Sequence, residues 1–357
     1  MNNGQIVIAA LPIGGLTATE AASRFTRSLR AAHPEIDATC FVQLPLVDGG
    51  EGTIDLLVTN TLGSFLEVEA TGASGEQVVV PLGFAGDDGK LAVIEMQRVA
   101  ASRGGAGTTY GVGELILDSL DEGAFSILLG QDEPLAADAG FGAAQALGVT
   151  FFDKKNKELD MRRASLSSVA RIDGSGRAFQ LLSSRFFVAQ TAGSATTNAS
   201  PELYQELTRL AEIIRHDVGI PVLAEGRSAS AIEFGLEAFL SAKVQDGLSL
   251  VLEATEIQKR INEAQCSALI LLTESAADLD RDALTSVLRS ATESVKNISV
   301  ILRQPPTAAE KKKLKGTVMT LSDAKVFVAP LTADATPESI RRDTLMRIEN
   351  LATQGAI

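Results

Sequence analysis

The stretch "PLVDGGEGTIDLL", Pro45 to Leu57, sets two carboxylates, Asp48 and Glu51, among three glycines, Gly49, Gly50 and Gly52. Two readings of it stay open. Asp48 with Glu51 three positions on has the spacing of a capping box, and both carboxylates suit the positive end of a helix dipole. Alternatively, bare glycine amides in front of a helix can receive the phosphate or carboxylate of a ligand. Other chemistries are poorly supplied. His33 and His216 are the only histidines. Both stand near the ends of amphipathic helices, His33 as a C-terminal cation and His216 as a surface residue, so neither a Ser-His-Asp triad nor a histidine metal centre is expected. Cys40 and Cys266 stand apart in apolar contexts and are expected as small buried hydrophobes, without a disulfide framework or zinc site. Catalysis or binding must therefore use carboxylates, amides, backbone groups or a bound metal.

Such groups need strand ends and helix starts to hold them. "IVIAAL" (Ile6 to Leu11) is a continuous apolar run of the parallel-strand type, and Thr17 with Glu20 opens a helix from about Thr19 to Ala32 in capping-box spacing. "ATCFVQLPLV" leads into the next helix. At the far end "SALILLT" (267–273), "ISVILR" (298–303) and "KVFVAPL" (325–331) repeat the alternation. Two strands from the start and three from the end predict one five-stranded parallel sheet. Between them the texture changes: "FLEVEATG", "EQVVVPLGFAGDDG" and "KLAVIEM" read as a meander, with "FSILLG" and "RFFVAQ" as later strands. The expected fold is α/β, with a doubly wound domain from 1–63 and 256–357 and an inserted α/β domain over 64–255. "AQTAGSATTNASPE" (Ala189 to Glu202) reads as a loop ended by a helix with Pro201 in its first turn.

The chain has 357 residues, 45% of them hydrophobic, enough for two such domains. Its formal charge of −13 and scattered Lys and Arg argue against a nucleic-acid partner. The basic run "EKKKLK" (Glu310 to Lys315) reads as a solvated helix face. No apolar run is long enough for a membrane span and the N-terminal stretch lacks a basic signal-peptide region, so a cytoplasmic protein without a membrane partner is expected.

Taken in order, "IVIAAL", "GGLTATEAA", "LPLVDGGEGT", "LAVIEM", "TTYGVGELI", "LLGQDEPLAADAGFGAAQALGVTFFD" and "ARIDGSG" resemble the bacterial glycerate kinase family that has no P-loop, over most of the chain. The resemblance implies a flavodoxin-like domain with an inserted α/β domain and a cleft between them. It implies ATP-dependent phosphorylation of glycerate or a similar hydroxy acid, with Mg²⁺. By matching motifs, it implies substrate or nucleotide contacts at Asp48, Gly49, Gly50, Glu51, Asp138 and Gly140, and catalytic carboxylates at Glu274 and Asp278. The implied partners are a small hydroxy acid and a nucleotide, with a protein partner also open.

The sequence departs from the family's pattern at several ligand-facing places. "LPIGG" (Leu11 to Gly15) lacks the family's Asp and Lys after the first strand. "DEPLAADAG" (Asp132 to Gly140) keeps only Asp138 and Gly140 of a Gly-Gly-Ser-Ala-Thr-Asn-Asp-Gly-Gly loop. "LTESAAD" keeps Glu274 and Asp278 but has Thr273, Ser275 and Ala276 where Gly, Gly and Arg stand in the family. "GRSASAIEFG" (Gly226 to Gly235) and "FVAQTAGSATTNAS" are changed as well. Phosphoryl transfer needs donors and cations around the moving charge, and Asp132 and Glu133 supply the opposite. One like charge about 4 Å away costs on the order of 4 kcal/mol at an effective dielectric of 20. Weakened or lost phosphorylation is therefore expected. The alternative is a catalytically inactive descendant serving as a small-ligand sensor or a partner-binding subunit. Asp132, Glu133 and Asp138 could instead form a rearranged Mg²⁺ site, but such sites need no more than one or two carboxylates and Pro134 suggests an ordinary turn. Structural roles compete for the retained carboxylates: Asp48 and Glu51 as caps, Asp138 as the N-cap of the helix through Leu147, and Asp278 as a helix-start residue. Gly111 and Gly113 lack the third glycine of a dinucleotide fingerprint. Glu274 follows an apolar strand at its carboxyl end, where open α/β sheets bind ligands.

Overall fold

The computed structural model describes residues 5–86, 88–192, 194, 198–254, 266–274, 278, 279, 284, 288, 291, 297–304 and 325–330. The chain divides into two compact units, Met1–Val47 with Leu252–Ile357, and Asp48–Val251.

In the first unit, β1 (Gln5–Ala10) lies between β2 (Phe41–Pro45) and β11 (Cys266–Thr273), and β12 (Asn297–Leu302) and β13 (Lys325–Pro330) extend the sheet. Every pairing is parallel, with Ile8 opposite Ile270 and Leu271 opposite Val300. The order β2-β1-β11-β12-β13 is the flavodoxin-like one. It is the five-stranded sheet expected from the two ends of the sequence. Ile6, Ile8, Ala10, Ile270 and Leu272 are buried, which is why these strands read as apolar runs rather than alternating ones. Helix α1 (Ala18–Ala32) covers the sheet with Ala21, Ala22, Phe25 and Leu29, and burial of a side chain such as Phe25 stabilises by roughly 1.5–3 kcal/mol. The expected capping box is present: Thr17 Oγ1 accepts from Glu20 N–H and Glu20 Oε2 accepts from Thr17 N–H, both at 3.2 Å.

The second unit is built on a six-stranded mixed sheet. The meander β3 (Ser64–Thr71), β4 (Gln77–Ala85) and β5 (Leu91–Glu95) is antiparallel. From β5 the sheet continues in parallel through β6 (Ser126–Gln131), β9 (Arg185–Gln190) and β10 (Lys243–Asp246). A separate hairpin joins β7 (Thr150–Phe152) to β8 (Arg171–Asp173). Helix α2 (Thr53–Asn60) belongs to this unit, because Ile54 and Val58 pack on Gly83 of β4. A Cβ on Gly83 would lie 2.7 Å from Ile54 and 3.0 Å from Val58, so the glycine sets how closely helix and sheet approach. Helix α3 (Gln97–Ala100) follows β5, and α4 (Tyr110–Asp121) buries Val112, Leu115 and Ile116 with Ile94, Ile127 and Leu129. Helix α5 (Phe141–Ala146) brings Phe141 into a ring cluster with Phe151 at 4.8 Å and Phe239 at 5.8 Å. Pro201 does open a helix, Pro201–Asp217, capped by the Ser200 hydroxyl on Leu203 N–H.

Candidate functional site

In the first unit, the direction of winding reverses between β1 and β11, and loops at such a reversal flank a natural ligand crevice. Glu274 stands there, directly after β11. Its Oε2 accepts from Gly14 N–H at 2.9 Å, and its Oε1 accepts from Gln304 Nε2 at 2.9 Å and Arg303 Nη1 at 2.5 Å. Gly14 has φ +60°, a conformation that favours glycine, and a Cβ on it would stand 3.0 Å from Arg303 Nε, so the loop lies close against the guanidinium. Burial alone would raise the Glu274 pKa, but the hydrogen bonds from Gly14, Gln304 and Arg303 outweigh it and hold the carboxyl below its ordinary range. It is ionised at neutral pH. Asp278, half-buried, accepts from the hydroxyl of buried Thr273. Both carboxylates singled out in the sequence thus meet residues at the end of β11. Arg303 was missed there, because "ISVILR" reads as a strand and its final residue as punctuation. The usable signal was a basic residue closing a predicted parallel strand at its carboxyl end. Ser275 and Ala276, and the run "EKKKLK", lie outside the described residues.

The second unit gathers carboxylates at the end of β6. Asp132 follows the strand and receives one long hydrogen bond, from Thr191 Oγ1 at 3.4 Å. Burial raises its pKa most, followed by the charge of Asp48, with smaller additions from Glu133 and Glu51. Glu133 accepts from Ser230 Oγ at 2.6 Å and Leu135 N–H at 2.8 Å. Behind them Gln131 is fully buried, its Nε2 donating to Ser228 Oγ and Glu233 Oε2 while its Oε1 meets no partner.

The Asp48–Gly52 stretch does lie beside this strand end, but its capping box does not form. Helix α2 starts at Thr53 with Gly52 (φ +90°) as its N-cap and no side-chain cap. The free Ile54 N–H donates instead to Glu95 Oε1 at 3.0 Å. A buried carboxylate 41 residues away does the capping, which no local spacing could show. Asp48 Oδ2 accepts from Ala192 N–H at 3.2 Å, and Glu51 is exposed. The glycines answer to packing: a Cβ on Gly49 would come 2.4 Å from the Ala189 carbonyl oxygen, and Gly49 has φ +101°. A Cβ on Gly50 would come 3.1 Å from Asp132 Oδ2, so Gly50 is what lets this loop sit against that carboxylate.

Asp138 is buried and saturated. Its oxygens accept from Thr109 N–H at 2.7 Å, the Thr109 hydroxyl at 2.9 and 3.0 Å, Gly140 N–H at 3.0 Å and Gly142 N–H at 3.1 Å. Burial raises its pKa and these donors oppose the rise. Gly140, not Asp138, occupies the N-cap position of α5, at φ +76°, and a Cβ there would meet the Ile232 carbonyl oxygen at 2.6 Å. The three-carboxylate Mg²⁺ site with Asp138 is therefore not formed. Among the described residues no three acidic, cysteine or histidine side chains come together as a metal site. His33 is the C-cap of α1 and bonds Glu35 at 2.8 Å, while exposed His216 bonds Asp217 at 2.7 Å. Cys40 is buried. No helix among the described residues is long and apolar enough to cross a membrane.

Two α/β units with carboxylates and glycine loops at the carboxyl ends of parallel strands are the architecture of a known family of kinases, and the relatives agree. The model of the glycerate kinase family matches residues 13–193. Glycerate kinase of Bacillus subtilis (strain 168) is 31% identical over 293 residues, covering 74% of each chain. Glycerate 2-kinase of Escherichia coli (strain K12) is 30% identical over 284 residues, covering 71% of this chain and 72% of that one. The crystal structure of a glycerate kinase 2 from Salmonella typhimurium LT2, described there as putative, superposes with a TM-score of 0.73 at 25% identity over 99% of both chains. The chain belongs to the glycerate kinase family.

Proposed function

We propose that this protein is a phosphotransferase of the glycerate kinase type, using ATP on glycerate or a similar small hydroxy acid, with turnover lowered by its acidic β6 loop. The observation that carries this reading is the Arg303 guanidinium, held by ionised Glu274 against Gly14 at the reversal point of a parallel sheet. A fixed guanidinium suits a carboxylate or phosphate, since it offers paired donors with little reorganisation. Glu274 with its lowered pKa is a poor proton acceptor, so its part is to orient Arg303. Asp278, tied to Thr273, is the carboxylate assigned to take the proton of the substrate hydroxyl. In the second unit, Gly49, Gly50 and Glu51 and the loop braced by Asp138 and Gly140 form the nucleotide-facing part.

Mg²⁺ fits one feature of this chain: the charge of Asp48 helps to raise the pKa of Asp132, and a divalent ion takes one or two carboxylates together with phosphate oxygens. These two residues would hold it, and it would supply neutralisation of phosphate charge. Slow turnover follows from the same pair, because no Lys or Arg bonds Asp132 or Glu133 among the described residues. That feature also favours a second reading, a non-catalytic sensor of the same acid. Purified protein with ATP, Mg²⁺ and glycerate should release ADP in a glycerate-dependent manner. Release equal to the glycerate-free control, with a melting temperature that rises on adding glycerate, would select the sensor instead.

A further inference from the structure

A cleft of about 460 Å³ opens in the second unit, between the glycine-rich loop after α3 and the turn that precedes β8. That volume is in the range of small-metabolite pockets. Its lining includes Ala106 and Gly107 on one side, and Arg162, Arg163, Ser165 and Ser167 on the other. Of its lining residues the kinase reading uses Asp138 alone, as a brace.

The hydrogen-bonding character of this cleft is one-sided. The Arg163 side chain is exposed and makes no hydrogen bond or ion pair among the described residues; Asp160, whose carboxyl its charge helps to hold ionised, is already bound by Arg162 in bidentate fashion at 2.8 and 3.1 Å. That leaves Nη1 of Arg162 free as well. Gly107 sits at φ +125°, where a Cβ would come 2.6 Å from the Ala73 carbonyl oxygen, so glycine lets the loop pack closely on that backbone. The N–H groups of Ala106 and Gly107 meet no protein acceptor among the described residues. Ser165 and Ser167 share a hydroxyl contact at 2.9 Å and keep donor capacity. The two carboxylates in the wall are spoken for: Asp138 by its donors around α5, and Glu206 by Arg209 at 2.9 Å. No aromatic ring lines the cleft, so a nucleobase has nothing to stack on.

We propose that this cleft binds a small aliphatic oxyanion, a phosphate monoester or a polycarboxylate, through Arg163, Arg162 and the amides of Ala106 and Gly107. A wall of donors matches a ligand made of acceptors, and guanidinium pairs with either group bidentately. The inference does not rest on the kinase reading: Ala137 and Asp138 of the β6 loop line the cleft, but the donors named here lie on other segments.

The test is calorimetric titration of the full-length protein with glycerol 3-phosphate, inorganic phosphate and tricarballylate in separate experiments. Saturable binding of at least one is expected, weakened about tenfold or more by Arg163→Ala and less by Arg163→Lys, which keeps the charge but not the bidentate geometry. Preference for the phosphate compounds assigns a phosphate ligand, and preference for tricarballylate a carboxylate one. Arg27→Ala, on the other unit, should leave binding unchanged. Because Arg163 is exposed, its variants should keep the wild-type urea midpoint. Absence of saturable binding by all three probes, or binding that Arg163→Ala does not weaken, overturns the proposal whatever the kinase assay shows.

Discussion

Glu274 after β11 and Asp132 after β6 occupy the same topological place, the residue just past the carboxyl end of a parallel strand, yet their surroundings are opposite. Glu274 is met by a backbone amide, a side-chain amide and a guanidinium, and its pKa falls. Asp132 is half-buried beside Asp48, Glu133 and Glu51 with one weak hydroxyl donor among the described residues, and its pKa rises. Strand ends in α/β sheets bring loops together, but which charges those loops carry decides whether an anion is welcome. One unit keeps an anion-receptive end and the other has an anion-repelling one.

Five changes test that contrast. Asp138→Ala, on the same loop as Asp132 but fully satisfied, should be the most damaging to stability. It leaves several buried donors unpaired at about 1–3 kcal/mol each, so a loss of at least about 3 kcal/mol is expected in urea unfolding. Arg303→Ala should lower kcat/KM for glycerate about 100-fold with little change in the unfolding midpoint, since it removes the cation of the receptive end. An unchanged kcat/KM would remove Arg303 from the site. Glu133→Gln, which leaves the Mg²⁺-holding pair intact, should move the opposite way, raising kcat/KM for ATP several-fold by relieving repulsion.

The two smallest effects are in stability against pH. The Asp132 carboxyl has a raised pKa, so the folded state holds its proton more tightly and stability falls as pH climbs from the ordinary value of 3.8 through the raised one. Asp132→Asn should therefore stabilise at pH 7 and flatten the curve over that window, an effect that partial exposure screens. Glu274 has the reverse sign: its contribution is present above the ordinary value of 4.5 and is lost as pH falls through its lower folded pKa. Partial exposure screens it, so Glu274→Gln should cost no more than about 0.5 kcal/mol at pH 7, with the difference vanishing in acid. Equal pH profiles for the two variants would erase the contrast.

Much of this was legible from local pattern. The apolar runs of β1, β11 and β12, the Thr17–Glu20 box and the Pro201 helix start depend on neighbours within a few residues, and each appears as expected. The candidate site was legible in part: Glu274 and Asp278 stand at a strand end as their order suggested. The failures came from long-range partners. Spacing offered Asp48 and Glu51 as a cap, but the cap of α2 comes from Glu95. Spacing offered Asp138 for a ligand or metal, but the Thr109 loop and α5 consume its oxygens.

By itself the chain's order of apolar runs, turns and caps determined the α/β class and the five-stranded parallel sheet, because those follow from periodicity and short-range hydrogen bonding, while the kinship came from the resemblance of its ordered motifs. Only the tertiary structure decided that Arg303 meets Glu274 across 29 residues while Asp132 meets other acids. The reason is physical: the protonation state and reach of a side chain depend on which distant groups the fold brings within a few ångströms, and that distance is not written in sequence separation.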